Sequence, residues 1–145
     1  MAEHAEGSTE VRATPAEVMA VVADFEAYPD WVANLEEVEV LARDRRGRGT
    51  RVAFRLGTPW GEQAYTLAYS YQPRDAGMTW TYVEGTLDDL AGSYALEPGE
   101  DGATRVTYQL EVALGVPIPG FLMRQAAKQI VRSALSDLKR RVESM

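Results

Sequence analysis

Tyrosine is the residue type with the most chemistry to offer in this chain. Seven occur, at positions 28, 65, 69, 71, 82, 94 and 108. Each brings an apolar ring and a hydroxyl that needs a partner once buried. Acid–base chemistry would have to come from carboxylates. Asp24, Asp30, Glu84, Asp88 and Asp89 are the candidates, with Tyr82 or Tyr94 as proton donors. Ordinary structural roles weigh against each. Asp24 reads as a helix-end residue and Asp30 as a turn residue. Asp88 and Asp89 suit a hairpin turn. Glu84 could point inward with Trp80 and Tyr82, but a solvated strand-end glutamate is the weightier reading. The catalytic residue, if there is one, is left unassigned.

Other chemistries are narrowed by what the chain lacks. It has no cysteine and one histidine. Disulfides, thiolate metal sites and cysteine nucleophiles are thereby excluded. His4 falls in a polar N-terminal stretch expected to be mobile. That leaves little basis for a multi-histidine metal site or a Ser-His-Asp triad. No phosphate loop or nucleophile elbow is present, so neither metal nor cofactor is expected. The net charge of −7 argues against nucleic acid and anionic membranes as main partners. Arg43, Arg45, Arg46, Arg48 and Arg51 do cluster, and read as a solvated hairpin turn around Gly47 and Gly49. No apolar run approaches the roughly 20 residues of a spanning helix. Residues 1–10 lack the pattern of a signal peptide, and a cytoplasmic location is expected. Oligomeric state is left open.

The elements that would position these residues follow from periodicity. Residues 1–7 are expected as a flexible tail and 8–145 as one domain, with a first strand over 8–13. Thr14, Pro15 and Glu17 form a helix start: cap, first-turn proline and capping-box partner. Val18, Met19, Val21, Val22 and Phe25 supply its apolar face, and Pro29 is expected to break it. A second short helix is expected over 30–35, with Trp31 packed inward. From Glu36 to Leu114 the apolar period becomes two, with turn residues between runs. That pattern predicts an antiparallel meander with one face covered. After Pro117 and Pro119, residues 120–143 contain no further glycine or proline beyond Gly120 itself. About 24 residues of helix would span about 36 Å. Leu122, Ala126, Ile130, Ala134 and Leu138 are read as its docking stripe, widened by Ala127, Val131, Leu135 and Val142.

Several segments together resemble the START/SRPBCC superfamily, in its single-domain bacterial polyketide cyclase/dehydrase-like branch related to ubiquinone-binding proteins. They are Thr14-Pro15-Ala16-Glu17-Val18 with Asp24, and Tyr28-Pro29-Asp30-Trp31. Gly85, Gly92-Ser93-Tyr94-Ala95-Leu96 and Gly102-Ala103-Thr104-Arg105-Val106-Thr107-Tyr108 follow. Pro117-Ile118-Pro119-Gly120-Phe121 precedes the long helix. The resemblance implies an α+β helix-grip (START/Bet v 1-like) fold. About seven strands would curve around the C-terminal helix, with two short helices after the first strand. It also implies a cavity between sheet and helix for a lipid, quinone, polyketide or other hydrophobic small molecule.

Phe54, Leu67, Tyr69, Trp80, Tyr82, Tyr94 and Tyr108, with Met123, Ala127 and Val131 on the helix, are the residues expected to line that cavity. Plain core packing explains each of them equally well. Trp60, between Pro59 and Gly61, is expected to cover a sheet end or gate an opening. An empty hollow of about 300 Å³ would cost about 7 kcal/mol at roughly 24 cal/mol per Å³. That rivals a domain's net stability of about 5–15 kcal/mol, so the space is expected to be hydrated, collapsed or occupied. Three functions fit: a carrier, sensor or chaperone of an apolar ligand, which is favoured; a polyketide aromatase/cyclase or dehydratase; or an interaction module without ligand.

Overall fold

Thr14 starts the first helix as the sequence requires. Its side chain accepts from the Glu17 amide, and the Glu17 carboxylate accepts from the Thr14 amide at 2.9 Å. The computed structural model describes residues 3–59, 61–114 and 117–145. In chain order the elements are β1 (Glu3–Val11), α1 (Pro15–Val22), a 3₁₀ helix (Phe25–Asp30), β2 (Leu35–Arg43), β3 (Gly49–Thr58), β4 (Gly61–Tyr71), β5 (Gly77–Gly85), β6 (Asp89–Pro98), β7 (Thr104–Ala113) and α2 (Gly120–Glu143).

All seven strands form one antiparallel sheet in the order β1-β7-β6-β5-β4-β3-β2. Strands β2 to β7 follow one another as a meander, and β1 closes the far edge beside β7. Bulges interrupt β2 against β3 and β5 against β4, and such insertions bend a sheet. One side of the sheet carries most of the apolar core. The helix α2 lies against β1 and β7, and the 3₁₀ helix covers β2. Gly7 lets α2 come close: a Cβ there would stand 2.9 Å from Val131 Cγ1.

Four expectations need correction. Residues 3–7 are not a free tail; they pair with β7, and His4 lies opposite Glu111. Mutual backbone hydrogen bonding outweighs the polar composition of this stretch. Helix α1 stops at Val22 rather than running to Pro29. Phe25 and Pro29 belong instead to the 3₁₀ helix, whose turns are closed by the amides of Ala27 and Trp31, so proline's missing N–H is not needed. The second helix ends where it was expected to begin, because Asn34 takes a left-handed φ of 65° and Leu35 opens β2. Finally, the buried stripe of α2 is Met123, Ala127, Val131, Leu135, Leu138 and Val142. Leu122 and Ile130 are exposed. The stripe advances by threes and fours, which follows the helix's 3.6-residue period better than a pure i, i+4 row.

Candidate functional site

Cross-strand register assembles the aromatic side chains into rows. Tyr71, Met78, Tyr94, Tyr108 and Gly7 face one another in sequence across β4, β5, β6, β7 and β1. Beside them run Tyr69, Trp80, Gly92, Leu110 and Ala5. Gly92 gives the Trp80 indole its place, since a Cβ there would approach the ring to 2.5 Å and the Gln109 carbonyl oxygen to 2.6 Å. The rings touch as a continuous chain. Phe25 meets Tyr69 at 4.6 Å between centroids, Tyr69 meets Trp80 at 5.9 Å, and Trp80 meets both Tyr94 and Tyr108 at 5.5 Å. Tyr94 and Tyr108 meet edge to face at 4.9 Å. Where α2 comes close to the sheet its neighbour on β1 is Gly7, and the rings stand on β4 to β7.

Of the ten residues expected to line a cavity, Phe54, Leu67, Tyr69, Trp80, Tyr94, Tyr108, Ala127 and Val131 join one buried cluster. Met123 is buried outside that cluster, and Tyr82 is half-buried against it. The five candidate carboxylates Asp24, Asp30, Glu84, Asp88 and Asp89 are all exposed. Glu84 is turned by the β5 bulge: Leu67 pairs with Tyr82 and Thr66 with Glu84, so Val83 is the inserted residue that breaks the alternation. Trp60 lies outside the described residues.

The hydroxyls divide into two groups. Tyr28 donates to the Val22 carbonyl, Tyr71 to that of Gly49 at 2.6 Å and Tyr82 to that of Leu87 at 2.8 Å. Among the described residues, the hydroxyls of Tyr65, Tyr69, Tyr94 and Tyr108 have no hydrogen-bond partner. Tyr69, Tyr94 and Tyr108 still keep 7–8 % of their surface accessible, whereas Phe25, Val52 and Leu110 keep 0–2 %. Burial pushes the Tyr65 phenol up to about 12 and those of Tyr69, Tyr94 and Tyr108 also upward, with the Asp137 carboxylate adding to the shift at Tyr94. At neutral pH all four are uncharged, able to donate one hydrogen bond and accept others.

Sequence reasoning missed Gln63. It is 9 % exposed, and among the described residues only Thr66 and Thr104 join it as buried polar side chains. It shares the strand face of Tyr65, Leu67 and Tyr69 by alternation along β4. That parity is readable in the sequence, but a lone polar residue two positions past the turn glycine Gly61 carries no local sign of burial. Trp31 packs edge to face on Tyr28 at 5.1 Å. Its Nε1 is the one buried side-chain polar atom without a partner among the described residues. It borders two open clefts at the C-terminal end of α2, of about 630 Å³ and about 520 Å³. Trp31 is the only member of the aromatic chain that lines them. Among the described residues no group of His, Asp or Glu is arranged to hold a metal ion, and no helix is long and apolar enough to cross a membrane.

Seven antiparallel strands gripping a long C-terminal helix over an aromatic interior define a START/Bet v 1-like helix-grip protein. Similar folds occur in a START superfamily protein from Mycobacterium smegmatis (TM-score 0.88, 22 % identity, 97 % of each chain covered). They also occur in the Zhui aromatase/cyclase from Streptomyces sp. R1128 (TM-score 0.76, 16 % identity, 99 % of this chain and 94 % of that one). A STAR-related lipid transfer protein fragment from Xanthomonas axonopodis is similar as well (TM-score 0.72, 20 % identity, 97 % and 85 %). No curated protein matches the sequence. A family model described as polyketide cyclase / dehydrase and lipid transport matches residues 11–139. The chain belongs to that family.

Proposed function

We propose that this protein holds a hydrophobic small molecule, such as a lipid, quinone or polyketide, between the sheet and α2. It acts as a carrier, sensor or chaperone and does not transform its guest. The observation behind this reading is the set of four tyrosine hydroxyls that find no acceptor among the described residues of an apolar interior. Unlike Trp31 Nε1, none of these hydroxyls is fully buried, so each keeps some accessible surface at which a guest bearing oxygen can take its hydrogen bond. The family description and the shape shared with a lipid transfer protein fragment support the same reading. A non-catalytic role is supported by the five exposed carboxylates and by phenols that stay protonated at neutral pH. The carboxylate whose charge acts on a ring of the interior is Asp137 of α2, beside Tyr94, and it is the group a catalytic reading would have to use.

Native mass spectrometry of protein purified from its own host, with extraction of whatever is bound, tests this. The expected result is a neutral apolar molecule, recovered unchanged, that raises the melting temperature in proportion to the logarithm of its concentration. Failure of every extracted or added apolar compound to move the melting temperature would sink the proposal. Turnover of a poly-β-ketone would shift it to an aromatase/cyclase.

A further inference from the structure

Gln63 is a polar residue in an apolar place. Its neighbours on the same face of β4 are Tyr65, Leu67 and Tyr69, and its cross-strand partner on β3 is Leu56. From the β5–β6 turn at the same end of the sheet, Thr86 reaches across to Gln63. Thr86 Oγ donates to Gln63 Oε1 at 2.6 Å and accepts from the Ala64 amide at 3.1 Å. The Thr86 amide in turn donates to the Ala64 carbonyl at 2.8 Å. Three bonds thus tie the β5–β6 turn to β4, and one of them holds the Gln63 carboxamide by its Oε1. Its amino group is left without an acceptor among the described residues. Two residues further along the strand, the Tyr65 hydroxyl is equally unpartnered. Glycine at position 85 permits this crossing, because a Cβ there would stand 2.3 Å from the Ala64 oxygen and 2.6 Å from Tyr65 Cβ.

We infer that Gln63, positioned by Thr86, is a specificity-determining residue of this interior, and that the guest it selects is uncharged and carbonyl-bearing. This rests on the ligand-binding reading above and narrows it. A carboxamide NH₂ can only donate, so it asks for an acceptor oxygen. Phenol hydroxyls satisfy the same oxygen and tolerate others. The guest's neutrality follows from the rest of the interior. The buried polar side chains among the described residues are Gln63, Thr66 and Thr104, and none is a cation. A carboxylate or phosphate entering this space would lose its hydration with no opposite charge to replace it. Quinone-like and polyketone-like guests are therefore selected over fatty-acid anions.

Isothermal titration calorimetry of the full chain with three matched probes tests the inference. They are 2-methyl-1,4-naphthoquinone, 2-methylnaphthalene and 2-naphthoate. The chain has no cysteine, so the quinone cannot form a thiol adduct. The quinone is expected to bind tightest, and 2-naphthoate at least about 10-fold more weakly. In Gln63→Met and Tyr65→Phe the quinone weakens about 3- to 10-fold while 2-methylnaphthalene is unchanged. Naphthoate binding as tightly as the quinone overturns the neutrality. An unchanged quinone preference in both variants overturns the role of Gln63. If the quinone and 2-methylnaphthalene bind but do not differ, the selectivity falls and the ligand-binding reading stands. If none of the three binds and extraction recovers nothing, both fall.

Discussion

Tyr28 anchors its hydroxyl on a backbone carbonyl, while Tyr94 and Tyr108, just as deep, have no such anchor among the described residues. The difference should be visible in stability. Tyr94→Phe and Tyr108→Phe remove a hydroxyl that contributes no protein hydrogen bond. Each is expected to change the unfolding free energy by less than about 1 kcal/mol, in either direction. Tyr28→Phe leaves the Val22 carbonyl without that donor, and is expected to cost about 1–3 kcal/mol. Urea unfolding with equal m-values for all three variants is the measurement. A larger loss for Tyr94→Phe than for Tyr28→Phe would show that Tyr94 has a protein partner after all. Seven tyrosines announced an aromatic interior at the level of sequence. Which hydroxyls would be anchored was not legible, since the acceptors are carbonyls of Val22, Gly49 and Leu87, three separate places in the chain.

At the scale of elements, α2 is the part whose extent was fully legible and whose rotation was not. Proline at 119 and glycine at 120 mark its start, and it ends at Glu143 as composition indicated. Its docking face is set by what the sheet offers: Gly7 admits Val131 and Leu135. Leu138 is 0 % exposed and Ile130 is 42 % exposed. Leu138→Ala is expected to cost about 2–5 kcal/mol, and Ile130→Ala less than about 1 kcal/mol. Chemical denaturation of the two variants separates the observed stripe from the one read off the i, i+4 spacing. Equal costs would mean that α2 is rotated from the orientation described.

At the scale of the whole molecule, the buried phenols couple folding to alkaline pH. Below pH 10 tyrosines are protonated in both states. Above it the unfolded chain releases phenolic protons that the folded chain retains, Tyr65 and Tyr71 up to about 12. Unfolding is then favoured progressively between pH 10 and about 12, and stability is lost across that window. Phenolate absorbance and far-ultraviolet circular dichroism, followed together through an alkaline titration, are expected to change in one cooperative step. Phenolate appearing in full while the dichroism holds would show that the rings are open to solvent.

By itself the sequence determined the meander, the capping box, the position of the long helix and the family resemblance. All of these rest on short-range rules: alternation, turn residues, caps and breaks. Only the tertiary structure decided that β1 begins at Glu3, that the β5 bulge turns Glu84 outward and that Gln63 is buried and bonded by the exposed Thr86. These depend on partners distant in the chain or on register between strands, and neighbouring residues carry no record of either.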